Sequence, residues 1–321
     1  MSNEVPVADA TALITGASGF VGRHLVELLK SQTSLNLIAV QGHPGPHEEG
    51  VRQLVCDLLD ADLTSRVIAR HRPDVIFHLA AQAYVPKAVA NPAETLINNV
   101  VSQVNLLESC RAAGIDPVIV VVSSAEVYGA VAPSEIPIIE SQPFQPRNPY
   151  AVSKVTQDML GLQYHLSYGM KIVRVRPFNH IGPGQNDRFV VSSLARQIAE
   201  IEHGLADPVL LVGNLDSVRD FLDVRDVVRA YVAVAKTEFA GEVFNVASGT
   251  GVRINAILDE LLRLSSAEVD VRQDPSRLRP SDIPMLIGDA EKLRAATGWE
   301  PAISLKTSLR DTLDDWRVRL N

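Results

Sequence analysis

Cysteine is almost missing from this chain: Cys56 and Cys110 are the only two in 321 residues, far apart and without a CxxC pair. That excludes a disulfide framework and a cysteine metal site, and it fits a reducing, cytoplasmic setting. Long apolar runs are also missing. No window approaches the ~20 apolar residues that span a bilayer, and the opening "MSNEVPVADA" has neither the basic stretch nor the apolar core of a secretory signal. It reads as a short, loosely held tail, and no membrane partner is expected. Basic excess is lacking too, since 30 Lys and Arg face 38 Asp and Glu for a formal charge of −8. Without a positive patch a nucleic-acid partner is not expected, although single arginines can still hold a small phosphorylated ligand. Internal repeats, low-complexity tracts and coiled-coil heptads are absent as well.

What is there is an ordinary globular composition, 46% hydrophobic and 21% charged, in a chain long enough for one large α/β unit with an appendage. Short apolar runs alternate with amphipathic stretches: "TALIT", "FVGRHLVELLKSQ", "LNLIAV", "VRQLVC", "DLTSRVIARH", "DVIFHLAA". The series continues through the helix "AETLINNVVSQVNLLESCRAAG", the strand "PVIVVVSS", the helix "PYAVSKVTQDMLGLQYHLSYG" and the strand "MKIVRVRP". Strands without polar alternation, separated by helices, predict a doubly wound parallel sheet covered on both faces, a Rossmann arrangement. Beyond Arg176 the regularity breaks into Pro-, Gly-, Asn- and Arg-rich stretches, then one more helix, "VRDVVRAYVAVAK", and strand, "EVFNVAS", return to the sheet. The expected division is 1–176 plus 220–248 for dinucleotide binding, and 177–219 plus 249–321 for a smaller, discontinuous substrate lobe.

"TGASGFVG" follows the first strand and opens the first helix, spacing Gly16, Gly19 and Gly22 as G-x-x-G-x-x-G. The first two let a pyrophosphate approach backbone N–H groups at a helix N-terminus, and the third lets helix and strand pack closely. After the second strand, where NAD sites usually place an acid, stand Gln41, Gly42 and His43. The missing acid removes repulsion toward a 2′-phosphate and tilts the choice to NADP(H), with NAD(H) as the alternative. Arg23 or His43 either contacts that phosphate or is merely exposed. Phe20, Val21, Asp57, Leu58, Leu79, Ala80 and Ala81 complete the expected cofactor set.

"SSAEVYG" follows the fifth strand, and "NPYAVSK" opens a long helix with Asn148 as N-cap and Pro149 in its first turn. Tyr150 and Lys154 project from one face of that helix. A phenol titrates near ~10, but an adjacent ammonium stabilises the phenolate and brings it toward working range. Ser124 can bond the same substrate oxygen that Tyr150 protonates.

Together "TGASGFVG", "HLAA", "SSAEVYG" and "YAVSK" resemble the extended short-chain dehydrogenases/reductases along essentially the whole chain. The resemblance implies an oxidoreductase with Ser124, Tyr150 and Lys154 catalytic, Tyr150 and Lys154 also reaching the cofactor, and Lys154 holding the nicotinamide ribose. It also implies a homodimer joined by a four-helix bundle, with a tetramer left open. In the helix of Tyr150, Val155, Met159, Leu162 and Leu166 form one stripe and Leu160, Tyr164 and Tyr168 another. One must face the core, and the other serves a dimer or more core.

"RPFNHIGPGQ" leaves the sixth strand at the carboxyl edge of the sheet, where ligands bind. Pro177 and the Gly182-Pro183-Gly184 turn fix a bend that leaves Asn179 facing the ligand or satisfying loop backbone. This stretch, "GNLDSVRDFLDVRDV" and "RPSDIPMLIGD" resemble the GDP-mannose branch, particularly reductases that turn GDP-4-keto-6-deoxy-D-mannose into GDP-D-rhamnose. The resemblance implies a GDP-sugar substrate with Val85, Asn179, Phe189 and Val190 along it, and Arg219 and Arg279 on its diphosphate, where a guanidinium fork suits phosphate oxygens. Glu126 keeps the sister family in play. In GDP-mannose 4,6-dehydratases the equivalent carboxylate removes the C5 proton, so a dehydratase or bifunctional reading stands beside one in which Glu126 only orients the sugar. A non-catalytic dinucleotide sensor on the same fold is the remaining alternative.

Overall fold

A computed structural model describes residues 10–32, 34–44, 49–278 and 283–321; Arg279 lies outside them. The chain begins with β1 (Thr11–Thr15), α1 (Phe20–Gln32), β2 (Asn36–Gln41), β3 (Val51–Val55), α2 (Ala61–His71) and β4 (Val75–His78). Next come α3 (Val85–Ala90), α4 (Pro92–Leu96), a π-helical turn at Ile97–Val101, α5 (Ser102–Ala112), β5 (Val118–Val122), α6 (Pro149–Tyr168) and β6 (Ile172–Pro177). β7 (Asn179–Ile181), α7 (Val190–Glu202), β8 (Val209–Val212), β9 (Val218–Asp223), α8 (Val224–Val234) and β10 (Val243–Val246) follow. The chain ends in β11 (Gly251–Arg253), α9 (Ile254–Arg263), β12 (Asp270–Gln273), β13 (Met285–Leu286), α10 (Glu291–Thr297) and α11 (Leu305–Leu320).

Seven strands form a parallel sheet in the order β10-β6-β5-β4-β1-β2-β3. The order reverses between β1 and β4, which opens a crevice at the carboxyl ends of those two strands. Apolar residues on both sides of each strand explain the arrangement. Ala12 and Ile14 of β1 enter one core with Leu25, Val228 and Tyr231, while Leu13 enters the other with Ile68, Leu106 and Ile119. A third core, with Ile181, Leu194, Ile198, Leu210, Phe221, Ile257, Leu258 and Leu309, stands apart from both. Around it β9 pairs with β7, β11 and β13, and β8 pairs with β12.

The long helix expected after Ala90 is broken by the π turn, whose extra residue turns Asn99 inward. Asn99 accepts from Gln82 N at 2.7 Å and donates to Ser153 Oγ at 2.9 Å, so its hydrogen bonds compensate the irregular backbone.

Candidate active site

Gly16 follows β1 with φ +69°, and a Cβ there would stand 2.9 Å from Ala80 N. At Gly22 the Cβ would meet Gly16 O at 2.3 Å. Side chains are thus excluded where the loop crosses β4 and where α1 starts, and backbone N–H groups at the helix N-terminus are left accessible to an anion. Beside the loop lies a cleft of about 400 Å³ lined by Gly16, Gly19, Gln41, Gly42, Asp57, Leu58, Leu79, Ala80, Ala81, Gln82 and Asn98, among others. The cleft brings together most of the expected cofactor residues, and its shape and bare backbone fit a dinucleotide. Phe20 and Val21 occupy the first turn of α1, with the Phe20 ring stacked 6.1 Å from His180. Asp57 accepts from Leu59 N at 3.0 Å and so shapes the turn it occupies.

Arg23 goes elsewhere. Its guanidinium donates to Gly184 O at 3.0 Å, and His24 Nε2 donates to Pro183 O at 2.8 Å. Asp315 accepts from Gly184 N at 2.9 Å. The "GPGQ" bend is therefore clamped from α1 and α11. His43 is exposed after β2 and does not line the cleft.

Across the crevice, Asn148 caps α6 by accepting from Ala151 N at 2.8 Å. The cap aims the first turn, and with it Tyr150, at the end of β5. Lys154 is buried and donates to Val122 O and to Gln157 Oε1, each at 2.9 Å. Its Nζ lies 6.0 Å from the Tyr150 ring centroid. Burial pushes the Lys154 ammonium down to about 7. Burial also pushes the Tyr150 phenol up to about 12, against a hydrogen bond with Ser124 that lowers it and with Glu126 adding to the rise. The phenol lowered by its lysine, expected from the sequence, is therefore not what this arrangement gives. Loss of solvation opposes the charged form of both groups, and with Nζ 6.0 Å from the ring centroid the ammonium does not offset it. Ser124 Oγ also accepts from Glu126 N at 3.2 Å, and Glu126 Oε2 accepts from Asn148 Nδ2 at 3.1 Å.

The remaining expected residues surround the opening. Val85 starts α3 and half-buried Asn179 starts β7. Phe189 precedes α7, and Val190 is its first residue. The Phe189 ring meets Tyr84 edge-on at 6.4 Å, and the Arg188 guanidinium lies 5.6 Å over Tyr84, so the two sides of the crevice touch there. Arg219 is 9% exposed, and its Nη1 donates to Val218 O. Several site groups carry no signal in the sequence: Gln82 and Asn98 in the cleft, Gln157 on Lys154, and His78, whose Nδ1 lies 2.9 Å from Thr15 Oγ1. Burial first, and Lys154 second, pushes His78 down to about 3 and keeps it neutral. Among the described residues no His, Cys, Asp and Glu cluster suits a metal, and no helix is long and apolar enough to cross a membrane.

Known proteins share this architecture. At 41% identity over 308 residues, covering 96% of this chain and 97% of the relative, the sequence is similar to GDP-6-deoxy-D-mannose reductase of Pseudomonas aeruginosa. It is 31% identical, over 92% of this chain and 90% of the relative, to GDP-mannose 4,6-dehydratase of Yersinia enterocolitica. The solved structure of RMD from Pseudomonas aeruginosa complexed with NADPH superposes with a TM-score of 0.85 at 40% identity, covering 97% of this chain and 99% of that one. Thermus thermophilus UDP-glucose 4-epimerase in complex with NAD gives 0.86 at 29% identity, with 96% and 99% covered. A family model described as GDP-mannose 4,6 dehydratase matches residues 13–312, and the chain therefore belongs to that family, among the extended short-chain dehydrogenases/reductases.

Proposed function

We propose that this protein reduces the C4 keto group of GDP-4-keto-6-deoxy-D-mannose to give GDP-D-rhamnose, with NADPH as reductant. The observation that carries the reading is the near-full-length match to a GDP-6-deoxy-D-mannose reductase, whose solved counterpart holds NADPH. The nicotinamide, when bound, supplies the hydride that reduces C4. The chain's own residues then handle the proton. Tyr150 gives its phenolic proton to the developing alkoxide, and Ser124 donates a hydrogen bond to the same oxygen. Lys154 positions the ribose and stabilises the phenolate left behind. A phenol held at about 12 keeps its proton at neutral pH, which suits a donor.

The cradle at Gly16 and Gly19 would hold the pyrophosphate, with Asp57, Leu58, Leu79, Ala80 and Ala81 along the dinucleotide. Val85, Asn179, Phe189 and Val190 would lie along the sugar, with Arg219 and Arg279 on its diphosphate. Val152, Met159, Leu166 and Tyr168 of α6, with Ile97 and Val101 of the π turn, are exposed apolar groups, Leu166 at 72%. They supply a face for a homodimer built as a four-helix bundle. Cys56 and Cys110 are buried free thiols, which fits a reducing cytoplasm.

The second reading, a GDP-mannose 4,6-dehydratase, is favoured by Glu126 and by the dehydratase relatives. Two incubations separate them: GDP-4-keto-6-deoxymannose with NADPH, and GDP-mannose with NADP alone. The reductase oxidises one NADPH per GDP-rhamnose in the first and leaves GDP-mannose untouched in the second. A keto-sugar formed in the second establishes the dehydratase.

A further inference from the structure

Lys154 is buried in the centre of the crevice, and the titratable groups facing it, His78 and Tyr150, are neutral. An ammonium has three N–H donors, and here two are taken, by Val122 O and Gln157 Oε1, each at 2.9 Å. Tetrahedral geometry then fixes the direction of the third. Val122 O is a strand carbonyl and cannot turn away, so the side chain that completes the aim is Gln157.

Gln157 is itself held. It lies one helical turn beyond Lys154, is 1% exposed, and its backbone carbonyl accepts from Gln103 Nε2 of α5 at 2.8 Å. Among the described residues no carboxylate bonds the ammonium. Asp158, next along α6, accepts from Arg174 at 3.0 Å and from Arg176 at 2.8 and 3.1 Å. Glu126, beyond β5, is bonded to Asn148. From β4 the facing titratable group is His78, and from α6 it is Tyr150.

We infer that Gln157 is a positioning residue for Lys154: its side-chain oxygen stabilises the charged ammonium against burial and directs the remaining N–H toward the cofactor side of the crevice. The inference rests on the reading that Lys154 acts as a cation beside Tyr150. An amide oxygen stabilises the cation by a charge-dipole hydrogen bond in a site whose burial opposes the charge. Leucine at this position would remove the acceptor at similar volume, whereas glutamate would replace it with an anion.

The test is a side-chain 15N NMR titration of Lys154, its resonance assigned by its loss in Lys154→Arg, in the wild type, Gln157→Leu and Gln157→Glu. The midpoint should fall by about one pH unit or more in Gln157→Leu and rise by a similar amount in Gln157→Glu. NADPH affinity and turnover need the charged form, so the pH at which each declines on the alkaline side should move down in the first variant and up in the second. If Gln157→Leu does not fold, the upward shift in Gln157→Glu decides alone. Unchanged midpoints, or shifts of both variants in one direction, would overturn the inference. Opposite shifts in a protein that does not turn over the GDP-sugar would leave the inference standing and remove the substrate reading instead.

Discussion

Asn148 donates its side-chain amide to Glu126 at 3.1 Å while the same side chain caps the helix that carries Tyr150. The carboxylate two residues beyond Ser124 is thus tied to the element that positions the phenol. This bond gives Glu126 a placing role that needs no proton transfer. Glu126→Gln keeps an acceptor oxygen for Asn148 and removes the base. It should leave NADPH-dependent reduction within about threefold of wild type, because one neutral hydrogen bond replaces a charge-assisted one. A collapse of keto-sugar reduction in Glu126→Gln would give the carboxylate a direct chemical role.

In the proposed mechanism Tyr150→Phe removes the proton donor, along with the hydroxyl's hydrogen bond to Ser124. Turnover should fall by about 10²–10⁴, the usual contribution of a positioned acid, with NADPH affinity nearly unchanged. Steady-state kinetics beside a cofactor fluorescence titration separates the two effects. Intact turnover in that variant would remove Tyr150 from the mechanism.

Gly22→Ala drives a methyl to 2.3 Å from Gly16 O, a backbone atom that cannot yield without moving the loop. Stability should drop by about 1–3 kcal/mol, together with a loss of NADPH affinity. Gly42, in the same cleft, has nothing within 4 Å of its would-be Cβ and no positive φ. Gly42→Ala should stay within about 0.5 kcal/mol of wild type in a denaturant titration.

Behind the crevice, Asp158 is fully buried and holds both Arg174 and Arg176 of β6. Arg176 goes on to Tyr128, whose hydroxyl donates to Asn245 of β10 at 2.7 Å. Asp158→Ala strands two buried guanidinium groups, and losing one partner of such a pair costs about 3–5 kcal/mol. Equilibrium unfolding should show that loss. A change under about 1 kcal/mol would mean the arginines find other partners.

The sheet was legible because its strands are unbroken apolar runs, so β1, β4 and β5 stand out as "TALIT", "DVIFH" and "VIVVV". That Ser124, Tyr150 and Lys154 lie near one another was legible because strand end and helix start place them so. What escaped depends on juxtaposition across the chain. Arg23 faces a loop 161 residues away, and an exposed helix arginine gives no sign of that. The π turn that buries Asn99 shows only once its partners Gln82 and Ser153, 17 and 54 residues away, are placed beside it. Gln157 reads as one more polar helix residue until the Lys154 side chain is placed beside it. The direction of the Tyr150 shift escapes the sequence for a related reason: burial is a property of the fold, and it raises the phenol whatever lies four residues along the helix.

The central claim is tested most directly by following deuterium from NADPH carrying deuterium at both C4 positions into the product formed from GDP-4-keto-6-deoxymannose. The account predicts one deuterium per molecule, at C4 of a GDP-deoxyhexose, with one NADPH oxidised for each. Product without label at C4, or a keto-sugar made from GDP-mannose with no net oxidation of the cofactor, would contradict it.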